Sequence, residues 1–183
     1  SNRDWGRSGM SSSGWREVTL GDVARYSNAR ITTDELTLEN YVSTENMLSN
    51  KAGKTLASSI PSGTAIKYRV GQTLISNIRP YFKKIWHASM DGGCSADVLV
   101  FETTDEIDDK YFFYYLNQDH FFDYVMGGSK GTKMPRGDKQ QILMYSFKYP
   151  EKEEQKAIAA TLSCLDDKIE LNNRINKTLE EMA

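Results

Sequence analysis

Apolar residues along this chain fall into short strand-like runs in its first hundred residues and into helical spacing over 108–127 and again from residue 151 onward. From Trp15 the run Trp-Arg-Glu-Val-Thr-Leu alternates as a short strand does, and Gly21-Asp22-Val23-Ala24 turns it into a brief helical segment or loop. Tyr41-Val42-Ser43-Thr44-Glu45 is a further candidate strand, followed by a long polar loop through Asn50, Gly53 and Ser58 to Gly63. In Thr73-Leu74-Ile75-Ser76-Asn77-Ile78 the apolar residues crowd together, which predicts a strand buried on both faces. Residues 85–88 and 96–101 read as two more strands, joined by a turn at Asp91-Gly92-Gly93.

Asp108 suits a helix N-cap, and Phe112, Phe113, Leu116, Phe121 and Val125 recur at roughly helical spacing until Gly127-Gly128 stops them, predicting one core-facing helix. A loop rich in glycine and cations follows over 129–137, then Ile142-Leu143-Met144-Tyr145-Ser146-Phe147 as a last strand. The fold class is therefore α+β, or mixed α/β, without an internal repeat.

After Tyr149-Pro150 an uninterrupted amphipathic helix is expected over 151–182. At about 1.5 Å per residue it would reach roughly 48 Å, more than a globule of this size can cover. Ile158, Leu162, Leu165 and Ile169 have the 4-3-4 spacing of a coiled-coil seam, which Leu179 resumes beyond Asn172 and Asn176. Either those asparagines face a partner and set register, or Leu171 and Ile175 rotate the stripe and the asparagines face water. The expected organisation is a start excluded from the fold at 1–13, a globular domain at 14–149, and a helical arm at 150–183.

Charge sharpens this division. The net charge of the 183 residues is only -2, yet no acid lies between Glu45 and Asp91, where Lys51, Lys54, Lys67, Arg69, Arg79, Lys83 and Lys84 all fall. A second group, Lys130, Lys133, Arg136 and Lys139, has Asp138 as its only opposing neighbour, while eight acids collect in the arm. A basic body on an acidic handle is the pattern of a phosphate-tracking surface joined to a part that serves another partner. The alternative is a set of lysines on unrelated solvated faces. Hydrophobic content of 39% suffices for one core and an appendage, and no apolar run approaches the ~20 residues of a membrane span. A soluble cytoplasmic protein is expected, without membrane partners.

Chemistry is sparse. His87 and His120 are the only histidines, each in an aromatic neighbourhood that suits packing, and no nucleophile, base and orienter gather near either. Cys94 and Cys164 are seventy positions apart and are expected to be small packing residues, with neither a disulfide framework nor a zinc site. Asp108-Asp109-Lys110 and Asp166-Asp167-Lys168 imitate a nuclease fragment but lack the preceding acid on a strand. Asn77-Ile78-Arg79-Pro80-Tyr81-Phe82 lacks the first proline of the adenine methyltransferase loop, and Gly127-Gly128-Ser129-Lys130-Gly131-Thr132-Lys133 lacks the Gly-Lys-Thr order of a Walker loop. That glycine-rich loop suits close backbone approach to phosphates or base edges, or it is a plain helix-to-strand connection. No catalytic residues, metal or cofactor are expected.

Several segments in order carry a resemblance: Trp15-Arg16-Glu17-Val18-Thr19-Leu20-Gly21-Asp22-Val23-Ala24, Leu74-Ile75-Ser76-Asn77-Ile78-Arg79-Pro80, Gly131-Thr132-Lys133-Met134-Pro135, and Pro150-Glu151-Lys152-Glu153-Glu154-Gln155-Lys156-Ala157-Ile158-Ala159 leading to Leu165-Asp166-Asp167-Lys168-Ile169. Together they resemble the specificity subunit of type I restriction-modification systems. The resemblance implies a target recognition domain that reads one half of a split double-stranded DNA site, followed by a helix that acts as spacer and docks methyltransferase (modification) subunits. Methylation and cleavage would then belong to the modification and restriction subunits.

On that footing Arg79, Lys83, Lys84, Lys130, Thr132, Lys133 and Arg136 are expected at or near DNA, with Lys51 and Lys54 as outer phosphate contacts. Arg79 has a second reading, as a strand-end residue that braces the fold. Base readers are expected on loops outside the shared motifs. Ile158, Leu162, Leu165, Ile169, Asn172 and Leu179 are the expected partner-binding positions of the helix. One recognition unit and one helix stand where the family has two of each, compatible with a half-subunit that pairs with a second copy through its tail or with a piece of a longer chain. A stand-alone DNA-binding regulator that dimerises through the helix is the competing reading, and an enzyme acting on nucleic acid the third.

Overall fold

A computed structural model describes residues 14–183; the start at 1–13 lies outside the described residues. The chain is α+β. Its central sheet has the order β2 (Ala24–Tyr26), β9 (Val98–Thr103), β6 (Thr73–Ser76), β7 (Ile85–His87), all antiparallel. The expected two-sided burial of β6 holds, because successive side chains on β6 and β9 point to opposite faces. Ile75, Leu99 and Phe101 enter one core with Leu20, Phe112, Leu116, Phe121 and Phe147. Leu74, Val98 and Val100 enter a second with Val42, Met47, Tyr68 and Cys94. Each such fully buried side chain contributes about 1.5–3 kcal/mol of transfer free energy.

Beyond the second core lies a sheet of order β3 (Arg30–Thr32), β5 (Thr64–Tyr68), β8 (Gly92–Cys94), β4 (Tyr41–Val42), in which only the β4–β8 pair is parallel. Here the sequence-based expectation of a turn at Asp91-Gly92-Gly93 fails. Gly92 and Gly93 are buried strand residues, and a Cβ on Gly92 would fall on the Asn40 carbonyl oxygen and the Tyr68 hydroxyl. Glycine is there for close strand approach, which in sequence looks the same as turn chemistry. The candidate strand at 41–45 shrinks to Tyr41–Val42 for a local reason: Asn46 turns the chain by accepting from Ser43 N at 2.6 Å through its side chain.

Two further expectations are corrected. The single helix over 108–127 is two, α2 (Asp109–Leu116) and α3 (Asp119–Gly127), broken at Asn117-Gln118. The five-residue step from Leu116 to Phe121 is out of phase with one helix, and the break returns both to the core. Asp108 does cap α2, accepting from Tyr111 N at 3.0 Å. The last strand is displaced: residues 139–143 form the short helix α4 (Lys139–Leu143), because the Asp138 carboxylate accepts from Gln140 N and Gln141 N, and β10 (Ser146–Tyr149) follows. β10 pairs antiparallel with β1 (Arg16–Thr19), and α1 (Leu20–Val23) leads from β1 into β2.

The chain ends in α5 (Lys152–Met182), 31 residues long and so about 46 Å at 1.5 Å per residue. Its buried residues, Gln155 and Ala159, lie in its first turns. Ala159 enters the first core, and Gln155, fully buried, accepts from Asp108 N at 2.8 Å while its amide donates to the Pro150 and Glu106 carbonyls at 2.9 and 3.0 Å. None of the described helices is long and apolar enough to cross a membrane.

Candidate nucleic-acid interface and docking helix

Three loop segments distant in sequence are tied into one face by backbone hydrogen bonds. The tight turn Pro80–Phe82 after β6 receives the 50–51 loop on one side, Asn50 N donating to Phe82 O and Lys51 N to Lys83 O, both at 2.8 Å. On the other side Arg79 N donates to Pro135 O at 2.7 Å, and Gly137 N to Asn77 O at 3.1 Å. The 130–136 loop closes on itself through paired bonds between Lys130 and Arg136, each 2.9 Å, with Gly131 at positive φ.

All the non-glycine residues at positive φ among the described residues lie in this assembly: Asn50, Lys51, Arg79 and Lys83. Each left-handed residue costs about 1–3 kcal/mol, so the surrounding hydrogen bonds must hold it. Asn77 anchors the junction from below, buried, with its amide donating to Gly137 O at 3.2 Å and its Oδ1 without a partner. A side chain on Gly137 would strike that oxygen.

The cations named from sequence are largely engaged within the protein. Lys51 and Lys83 both reach one carboxylate oxygen of Asp119, at 2.9 and 3.1 Å. Those lysines hold the Asp119 carboxyl below the ordinary carboxylate range. Arg136 pairs with Asp97, and Lys130 with Asp138 at 3.6 Å. Lys54 donates to Glu39 O over the Trp86 ring, and Lys84 to Thr44 O over the Phe82 ring; burial lowers both pKa values. Among the described residues Arg79 and Lys133 have no ion-pair partner, and Thr132 is exposed beside them. Bracing at Arg79 runs through its backbone, and the residue as a whole is exposed. The charge blocks of the sequence are therefore partly cancelled in space by Asp119, Asp97 and Asp138. Asp119 and Asp97 carried no signal in the sequence, lying 68 and 39 positions from the cations they meet.

On α5, Ile158, Leu162, Leu165 and Ile169 line a cleft of about 550 Å³ together with Trp15, Tyr111, Tyr114 and Tyr115. Tyr114 donates to Asp166 at 2.8 Å across its mouth. At roughly 100° per residue these four positions fall within about 60° of arc, and Asn176 continues their line. Leu171, Ile175, Leu179 and Met182 cluster about 115° away, all exposed. Leu179 groups with this second stripe and not with the first, while Asn172 lies between the two. The whole helix from residue 164 onward is exposed.

His87 and His120 pack on Phe113 and Tyr145, with ring centroids 5.2 and 5.7 Å apart. No group of three or more His, Cys, Asp or Glu side chains able to hold a metal gathers among the described residues. Cys94 is buried as expected, but Cys164 is exposed on α5 and is not a packing residue.

The structure is thus an α+β body with a hydrogen-bonded group of cation-bearing loops and a long C-terminal helix whose apolar stripes are largely exposed. The chain belongs to the family described as type I restriction modification DNA specificity domain, whose model matches residues 12–181. It is 28% identical over 180 residues to the type I restriction enzyme HindI specificity subunit of Haemophilus influenzae, covering 93% of this chain and 39% of that protein. Its fold is similar to that of the HsdS subunit from Thermoanaerobacter tengcongensis, with a TM-score of 0.69 at 23% identity, covering 90% of this chain and 45% of the other. A chain solved in work on complex assembly and conformational transition of the type I R-M system also has a TM-score of 0.69 at 23% identity, over 88% and 44%. The chain thus spans about two fifths of the length of that curated relative.

Proposed function

We propose that this chain reads one half of a bipartite duplex DNA site and directs the adenine methyltransferase and restriction subunits of a type I restriction-modification system to it. Residues 14–149 would be the recognition domain and 150–183 the spacer and docking arm. The observation that carries this reading is the face built from the 50–51, 79–84 and 130–136 segments, held in costly left-handed geometry and presenting Arg79, Thr132 and Lys133. Hydroxyls and cations on a rigid backbone suit phosphate positioning, with base contacts made by neighbouring loops. The assembly context of the second solved relative supports partner subunits, and the exposed apolar stripes of α5 give them, or a second copy of the helix, a surface. Methylation and cleavage then reside in those partners, inside the cytoplasm.

The test is to co-express the chain with the neighbouring modification subunit and map methylated adenines with and without it. A methylation pattern that does not depend on the chain refutes the proposal. Duplex binding should also weaken with salt, with a log-log slope between about -1.8, for Arg79 and Lys133 alone, and about -4.5 for five neutralised phosphates. Tight binding of a palindrome without any methyltransferase would instead favour a stand-alone regulator.

A further inference from the structure

The Lys51–Asp119–Lys83 cluster has a feature that simple surface pairing does not need. Both lysines sit in left-handed backbone conformations, and they are hydrogen-bonded to each other through Lys51 N and Lys83 O. Both ammonium groups converge on the same oxygen, Oδ1 of Asp119, at 2.9 and 3.1 Å, and both side chains are only 27% exposed. Two cations preset around one oxygen, on strained backbone, form a cradle for an anionic oxygen, and a carboxylate oxygen can stand where a phosphate oxygen would. The cradle belongs to the same hydrogen-bonded face as Arg79 and the 130–136 loop.

We infer that Lys51 and Lys83 form a backbone-phosphate clamp whose anion position is occupied by Asp119 in the DNA-free protein, so that Asp119 limits binding to non-target DNA. The inference rests on the DNA-recognition reading. It makes Asp119 a positioning residue: it keeps both ammonium groups aimed at one point and removes one unit of positive charge until a correctly placed phosphate competes for them. A duplex engaged only loosely does not displace it. A duplex docked through the rest of the face does.

The test uses the full chain and a 20-base-pair non-target duplex, with affinity measured by fluorescence anisotropy between 50 and 200 mM salt. Asp119→Asn is expected to bind this duplex more tightly and to steepen the log-log slope by about 0.9, one additional phosphate. Over that fourfold salt range the ratio of variant to parent affinity therefore grows about 3.5-fold toward low salt. Adding Lys51→Gln and Lys83→Gln to the variant should remove the gain. A helix-start substitution can loosen α3, so each protein is first checked by thermal melting. In a folded variant, an unchanged slope or a weaker affinity overturns the inference while leaving DNA recognition standing. Absence of salt-dependent duplex binding by the unmutated chain overturns both.

Discussion

Gln155 decides whether the long helix is part of the fold or merely attached to it, and Gln155→Leu tests this directly. The side chain has no solvent exposure and makes three hydrogen bonds, from Asp108 N to its oxygen and from its amide to the Pro150 and Glu106 carbonyls. Leucine keeps most of the volume and offers none of these, leaving a buried N–H and two carbonyls short of a partner. At about 1 kcal/mol for each bond the loss is about 3 kcal/mol. For a chain of this size that lowers Tm by roughly 6–12 °C. Because Asp108 also caps α2, the damage should spread to that helix. Hydrogen exchange should show the first turns of α5 and the start of α2 opening together, while β6 and β9 keep their protection. Gln155→Glu should make the stability of this junction depend on pH. The introduced carboxyl would be buried against two carbonyls, raising its folded-state pKa above the usual ~4.3. That variant should be nearest to the parent in acid and lose stability as pH rises through the raised value. A Gln155→Leu protein that loses less than about 1 kcal/mol, or exchanges uniformly faster, would refute this anchoring role of Gln155.

Gly92→Ala should cost about 3 kcal/mol or more in denaturant unfolding, because the new methyl meets the Asn40 carbonyl and the Tyr68 hydroxyl in a strand that cannot move aside. Ile169→Lys and Ile175→Lys should each change stability by no more than about 0.5 kcal/mol, since both residues are exposed in the single chain, yet each should abolish capture of whichever helix or subunit covers its own stripe, read by co-purification. With a thiol reagent at pH 8, Cys164 should react promptly and Cys94 only after unfolding, because burial pushes the Cys94 thiol up to about 12; two fast thiols in the folded chain would contradict its packing.

What the sequence alone determined is what depends on near neighbours. The helix over Lys152–Met182, the doubly buried strand at Thr73–Ser76 and the cap at Asp108 follow from periodicity and local hydrogen bonding, and all three are present. The resemblance to specificity subunits was legible for the same reason, since its motifs are short and ordered. Tertiary structure decided what depends on distant partners. Whether Gly92-Gly93 turns or pairs depended on the Asn40 carbonyl and the Tyr68 hydroxyl, and the break between α2 and α3 on a core that both Leu116 and Phe121 had to reach. Charge shows the difference most plainly. Read along the chain, the cations stand largely apart from the acids; in the fold, Asp119 lies between Lys51 and Lys83 and Asp97 on Arg136. Coulomb attraction acts over a few ångströms of space and is indifferent to 68 positions of sequence, so only the folded chain determines which charges remain unpaired.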